Sequence, residues 1–218
     1  MSIKNVDLSA VGKQFNKGFL QKKDILQNPF SQFQKWYEEA ANYDHREANI
    51  VTLATASLAG RPSARTVLLK AFGEDGFIFY TNYNSQKGKE LLANPQAALL
   101  FYWYDLERQI RIEGKVEKVS KAISDAYFQR RPIGSQIGAV ASPQSSVITS
   151  RKILEDKVNA LKELHQGKTA IERPENWGGF RIIPDRFEFW QGRVSRLHDR
   201  IVFCLNDDGK WVVERLAP

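Results

Sequence analysis

From residue 50 onward the chain is a succession of short β-rich runs broken by tight turns, and that rhythm limits the fold more than any other feature. "IVTLATA" (50–56), "SARTVLLKAF" (63–72) and "FIFYTN" (77–82) are separated by "LAGRP" and "GEDG". "AALLFYWY" (97–104) and "RQIRIEGKVEKV" (108–119) follow, and "GGFRII", "RFEFWQ", "RIVFCLN" and "KWVVERL" return to the same texture after residue 177, with "NDDG" as a hairpin turn. Strands joined by tight turns pair antiparallel, because a parallel pair needs a long crossover between its members. At least eight such runs are present, enough to curl into a barrel. The expected fold is α+β, mainly antiparallel β: a barrel with helices packed around it.

Helical spacing accounts for much of the remainder. Asn28 is a good N-cap and Pro29 suits a first helical position, with Phe30, Phe33, Trp36, Tyr37 and Ala40 forming one apolar face. A short helix is expected over about 85–93, and the middle third reads as helical near 120–131, 135–142 and 150–165. Ile153, Leu154, Val158, Leu161 and Leu164 give the last of these an apolar stripe. Residues 1–27 are polar and basic and read as a partly flexible arm, leaving 28–218 as a single domain.

A net charge of +7 suits nucleic acid, an acidic membrane surface or phosphorylated small molecules. Cys204 is the only cysteine, so no internal disulfide can form, and its apolar surroundings suit a buried inert thiol. Neither a signal peptide nor a membrane-length apolar run is visible, and a reducing cytoplasm is the expected location. His45, His165 and His198 have no metal-ligand spacing, and GxGxxG, P-loop and GxSxG motifs are absent. Metal hydrolases, P-loop NTPases and α/β-hydrolases are therefore disfavoured.

Phosphate-friendly clusters are what the chain does offer. Arg65 and Lys70 frame an apolar strand in "ARTVLLK"; a strict strand places them on opposite faces, so they share a role only across a bulge or strand end and otherwise read as surface cations. In "FYTNYNSQKGKE" a strand runs into a helix whose first turn carries Lys87, where free N–H groups and the helix dipole already attract anions. Tyr127 and Arg131 share a helix face in "DAYFQRRPIGSQIGA", with Ser135 just beyond Pro132. Gln144 and Ser145 lie in the polar loop "SPQSSVITSR". "EFWQGRVSRLHDR" (188–200) begins like a buried strand; continued as one, it would project Arg196, His198 and Arg200 from a single face near Trp190. Such a face calls for an anionic or electron-rich partner.

"FEFWQGRVSRLHDR" closely resembles the signature of the pyridoxine (pyridoxamine) 5′-phosphate oxidases, and "RTVLLK", "FYTN", "LERQIRIEG", "SQIGA", "QSS" and "WGGFR" resemble further blocks in that family's order, over roughly residues 18–218. The resemblance implies an FMN-binding split β-barrel, Greek-key-like, working as a homodimer with FMN at the interface. It implies that FMN is held by Arg65, Thr66, Val67, Leu68, Leu69, Lys70, Tyr80, Thr81, Lys87, Gln109, Gln144, Ser145, Trp190 and Arg200. The substrate phosphate would be met by Lys70, Tyr127, Arg131 and Ser135, and its ring by Arg196 and His198, the catalytic pair. The implied reaction is oxidation of pyridoxine 5′-phosphate or pyridoxamine 5′-phosphate by O2, with hydride passing from C4′ to flavin N5. Three positions depart from the family pattern: Gln86 replaces a usual Arg, Val140 a common Trp, and "GKQF" (12–15) a basic-acidic-Tyr pattern. Rival readings are another split-barrel flavoenzyme, a non-catalytic flavin or pyridoxal phosphate carrier, and a nucleic-acid-binding barrel displaying Tyr102 and Trp103. The resemblance favours neither nucleic acid nor membrane as a partner.

Overall fold

The computed structural model describes residues 12, 14–43 and 48–218. In chain order the elements are α1 (Pro29–Tyr43), β1 (Ile50–Ala56), β2 (Pro62–Leu68), β3 (Ala71–Gly73), β4 (Gly76–Asn82), α2 (Gln86–Ala93), β5 (Gln96–Trp103), β6 (Arg108–Lys118), α3 (Lys121–Arg130), α4 (Ile133–Ala141), α5 (Lys152–Leu164), β7 (Trp177–Gln191), β8 (Asp199–Leu205) and β9 (Trp211–Leu216). Every strand pairing is antiparallel, in the order β2-β1-β5-β6-β7-β4-β3, with β8 and β9 continuing from β7. The expected curled antiparallel sheet with surrounding helices is what the chain forms.

Two of the expected strands, 178–183 and 186–191, are halves of one. One edge of β7 pairs β6 over Phe180–Gln191, while the other edge pairs β4 over Trp177–Ile182 and β8 over Arg186–Gln191. The register slips between Glu113 and Gly114, leaving Asp185 as an extra residue on β7. Only glycine fits opposite this bulge: a Cβ on Gly114 would lie 2.1 Å from the Ile183 carbonyl oxygen. Inward residues are Phe180 and Ile182 before the bulge, Phe187 and Phe189 after it, so the extra residue shifts the alternation by one. Trp177 and Trp190 consequently both fall on the outward phase.

Conversely, the run 63–72 splits. Leu69 donates its N–H to the Asn49 carbonyl and Lys70 donates to Ile78, so the chain changes partners between β1 and β4 here. Arg65 on β2 and Lys70 beyond its end therefore do not belong to one strict strand.

Phenylalanines dominate the core inside the curl. α1 closes one end, with Asn28 Oδ1 accepting from the Phe30 and Ser31 N–H groups as N-cap and Phe33 packed against Phe72, Phe77 and Phe101 at 4.9, 4.8 and 5.2 Å. A smaller cluster, Phe128, Ile137, Ile171 and Trp177, joins α3 and α4 to the start of β7. The apolar stripe of α5 is not buried as its spacing suggests: Val158 and Leu161 half-bury against this cluster, but Ile153 and Leu164 stay exposed because the helix packs chiefly on α4. The described part of the arm lies against the barrel, Asn16 and Lys17 donating N–H groups to the Glu107 carboxylate and Leu20 to Asp199. His45 lies outside the described residues. Among the described residues, no helix is long and apolar enough to cross a membrane.

Candidate active site

A cleft of about 270 Å³ opens where β2 ends beside β4, α2 and α3. Thr66, Val67, Leu68, Lys70, Tyr80, Thr81, Lys87, Tyr127, Arg131, Gln144 and Trp177 line it. An adjoining hollow of about 360 Å³ shares five of these residues and adds Ser135. Most of the expected cofactor-side and phosphate-side residues therefore meet in one place. Leu69 instead points into the core, and Ser145 sits beside Gln144 in a left-handed conformation (φ 70°).

Local sequence explains the arrangement. Ser85 caps α2, its Oγ accepting from the Gly88 N–H, and this turns Lys87 back over the strand end. Lys87 Nζ donates to Thr81 Oγ1 at 3.3 Å, and Thr81 in turn donates to Gln144 Oε1 at 3.1 Å. Burial and the nearby Arg65 charge hold the Lys87 ammonium below its ordinary range, against a smaller upward pull from Glu90. Tyr80 and Tyr127 stack at 3.8 Å, with Trp177 parallel to both. Close approach at Gly179 makes room for this stack, since a Cβ there would lie 2.9 Å from the Tyr80 ring. Burial raises both tyrosines, so they remain phenol donors at neutral pH. Arg131 lies over Trp177, 4.5 Å from its centroid, with Nη1 buried and without a hydrogen-bond partner. A buried guanidinium nitrogen beside a cleft that holds two lysines and two phenols suits an anionic group.

Arg65 is not among the residues lining this cleft, although its charge is felt at Lys87. It turns behind β2, where Nη1 donates to Thr55 Oγ1 at 2.5 Å and Nη2 lies 3.3 Å from Glu90. Burial pushes the Glu90 carboxyl upward, but hydrogen bonds from Ser63, Thr55 and Gln86 and the Arg65 charge outweigh it and bring it to about 2. Gln86 spends its amide on Glu90 at 2.9 Å.

The remaining expected residues form a second group at the far end of β7. Gln109, Trp190 and Arg200 are register neighbours on β6, β7 and β8. Arg196, His198 and Arg200 do not share a strand, contrary to the reading of 188–200 as continuous. The chain leaves β7 at Gln191 and turns back through Val194–Arg196 to form the β7–β8 hairpin, with Ser195 and Arg196 both left-handed (φ 56° and 60°). Two consecutive non-glycine residues in that region cost on the order of 1 kcal/mol or more each, a strain typical of functional loops. Arg196 lines a hollow of about 260 Å³ with Gln14, Phe15 and Arg193. His198 packs on Trp190 at 4.6 Å, and Phe15 meets both rings edge-on at 5.6 Å. Burial and the Arg196 charge lower the His198 pKa, and Nδ1 accepts from the Arg193 N–H at 3.1 Å, so the neutral ring carries its proton on Nε2.

Sequence reading gave no role to Trp177, Phe15 or Glu90. The Gly-Gly pair after Trp177 was the available signal, since glycines inside a strand mark close approach. No periodicity announces the other two.

Fold and clefts together define a split-barrel protein with a basic, aromatic-walled cleft suited to an anionic group. Residues 37–165 match the family model described as pyridoxamine 5′-phosphate oxidase, and residues 177–218 match the pyridoxine 5′-phosphate oxidase C-terminal dimerisation region. A pyridoxine/pyridoxamine 5′-phosphate oxidase of Trichormus variabilis is 50% identical over 206 residues, spanning 94% of this chain and 96% of that one. PhzG from Burkholderia lata, solved with tetrahydrophenazine-1-carboxylic acid, superposes with a TM-score of 0.85 at 29% identity, covering 94% of this chain and 100% of that one. A pyridoxamine 5′-phosphate oxidase-related, FMN-binding protein from Nostoc punctiforme shares the fold, with a TM-score of 0.68 at 20% identity over 85% of this chain and 97% of that one. The chain belongs to the pyridoxamine 5′-phosphate oxidase family.

Proposed function

We propose that the protein oxidises pyridoxine 5′-phosphate or pyridoxamine 5′-phosphate to pyridoxal 5′-phosphate, using FMN and O2, in a reducing cytoplasm. The carrying observation is Arg131, whose buried Nη1 lacks an acceptor in a cleft shared with Lys70, Lys87 and Tyr127. When bound, FMN supplies N5 as acceptor for a hydride leaving C4′, and O2 takes the electrons to give H2O2, with NH3 released when the substrate is the amine.

In this reading Thr66, Val67, Leu68, Lys70, Tyr80, Thr81, Lys87, Gln144 and Ser145 hold FMN from one protomer, and Lys70, Tyr127, Arg131 and Ser135 hold the substrate phosphate. Leu69 contributes backbone only, and Arg65 acts from behind β2 through its bonds to Glu90 and Thr55. Trp177 and Trp190 stand at opposite ends of β7, and the hollows at the two ends share no lining residue. In this reading Gln109, Trp190, Arg200, Arg196 and His198 serve the cleft of a second copy, and the working unit is a homodimer, as the resemblance implies. The match of 177–218 to a dimerisation region supports this arrangement. Arg196 holds the pyridine ring in place and His198 donates from Nε2 to the substrate.

The test is a visible spectrum of the purified protein followed by O2 uptake on adding each vitamer phosphate. A flavin spectrum with O2 consumption is expected. A colourless protein that FMN cannot reconstitute would overturn the proposal, and a yellow one inert to both vitamers would point to another split-barrel oxidase, such as one acting on a carboxylated tricycle, or to a carrier.

A further inference from the structure

The outward face of β6, β7 and β8 carries a cluster of charge whose centre is Glu188, the opening residue of "EFWQ". Its side chain is only 3% exposed. One carboxylate oxygen accepts from Arg200 Nε at 2.8 Å, and the other accepts from Arg111 Nη2 at 2.9 Å, with Arg186 Nη2 at 3.8 Å. Glu113 lies 2.6 Å from Arg111 and 3.6 Å from Arg186. Arg200 is held twice, because Nη1 also donates to the Ala217 carbonyl at 2.8 Å. A planar guanidinium fixed at Nε and Nη1 has its plane set and one remaining edge, Nη2, to offer.

We propose that Glu188 is a positioning residue: it fixes the Arg200 guanidinium beside Trp190 so that its remaining edge meets the flavin. This rests on the reading above that Trp190 and Arg200 contact FMN. A carboxylate among three arginines could equally serve only the fold, and a buried ion pair is weak grounds for stability. The two roles separate experimentally, because a structural role changes unfolding whereas a positioning role changes flavin affinity through Arg200.

FMN is titrated into apoprotein and followed by quenching of flavin fluorescence, for wild type, Glu188→Gln, Arg200→Lys and the double variant, with thermal unfolding of each apoprotein alongside. Glu188→Gln is expected to weaken FMN binding about tenfold, in line with loss of one charge-assisted contact. In the Arg200→Lys background the same change is expected to add less than about twofold, since the two act as a unit. If Glu188→Gln fails to fold, Glu188→Asp, which keeps the charge but withdraws it by a methylene, is expected to give the same non-additive loss. Apoprotein melting lower while FMN affinity stays within about twofold would overturn the positioning role. So would additive losses in the double variant. Arg200→Lys leaving FMN affinity unchanged would instead refute the assignment of Arg200 to the flavin, and the proposal would fall with it.

Discussion

The two ends of β7 handle positive charge in opposite ways. At the start, Arg131 rests on the Trp177 ring with a buried nitrogen that no acceptor satisfies. At the end, Arg200 is held by Glu188 and the Ala217 carbonyl, and Arg193 and Arg215 both reach Asp199. A cation left incomplete inside the fold needs a ligand to complete it, whereas a cation already paired is held in position in advance. Ligand-binding energy should therefore concentrate at the first end and orientation at the second.

The largest effect is expected from the orienting end. Arg196→Ala should lower kcat/KM on the order of 100-fold, as misplacement of a reacting ring does, with KM for the phosphorylated substrate changed less than kcat. Steady-state kinetics check this; a change within about twofold would remove Arg196 from the site. Next comes Arg131→Leu, which should raise KM for pyridoxine 5′-phosphate by ~10–100-fold, equivalent to ~1.5–3 kcal/mol for a charge-assisted contact, and leave KM for unphosphorylated pyridoxine nearly unchanged. Equal effects on both substrates would erase the distinction between the two ends.

The two ends also differ in how much of them the sequence discloses. The strands, the helix starting at Asn28 and the Ser85 cap follow from alternation and end chemistry, because these are local properties. The gathering of Lys70, Lys87, Tyr127 and Arg131 came from resemblance. Its local traces were Lys70 near a strand end, Lys87 in a first helical turn and the four-residue spacing of Tyr127 and Arg131. In the fold, α3 ends at Arg130, and Arg131 is its extended C-cap rather than part of a helix face. The bulge at Asp185 was invisible, since "IIPDRF" reads as a break between strands and the continuous pairing partner is far away in β6. For the same reason Arg196, His198 and Arg200 looked like one strand face. Alternation describes a strand but carries no information on where a hairpin turns, and the left-handed backbone at Ser195 and Arg196 lacks the glycine that would have marked it. The tie of Arg65 to Glu90 was equally hidden, because it depends on α2 packing beside β1 and β2, a tertiary relation.

A smaller effect is expected at Trp177. Trp177→Leu removes the surface on which Arg131 lies and one member of the aromatic stack, while Trp177→Phe keeps a ring there. A desolvated cation–π contact is worth ~1–2 kcal/mol, so KM for the phosphorylated substrate should rise ~5–30-fold in the leucine variant and less in the phenylalanine one. Paired kinetics on phosphorylated and unphosphorylated substrate separate this from general loosening of the cluster, which would affect both.

The smallest effect belongs to Glu90, whose pairing with Arg65 brings the β7-end pattern of satisfied cations close to the first cleft. Its carboxyl lies at about 2 in the folded protein against an ordinary 4.5. A group lowered on folding contributes stability that is fully present above the unfolded value and is lost as pH falls through the folded one. Glu90→Gln, which cannot titrate, should melt roughly 2–4 °C below wild type at pH 7, the shift that ~1 kcal/mol produces in a chain of this size. The gap should be unchanged down to about pH 4.5, narrow between 4.5 and 2, and close below that. Melting both proteins at pH 7, 4.5, 3 and 2 tests it. A gap that stays constant to the lowest pH would mean that shape and hydrogen bonding hold Arg65 behind β2, with the carboxylate charge contributing nothing. In that case Arg65 is no harder to release than an uncharged neighbour would make it, and the line between satisfied and waiting cations would have to be redrawn with Arg65 on the cleft side.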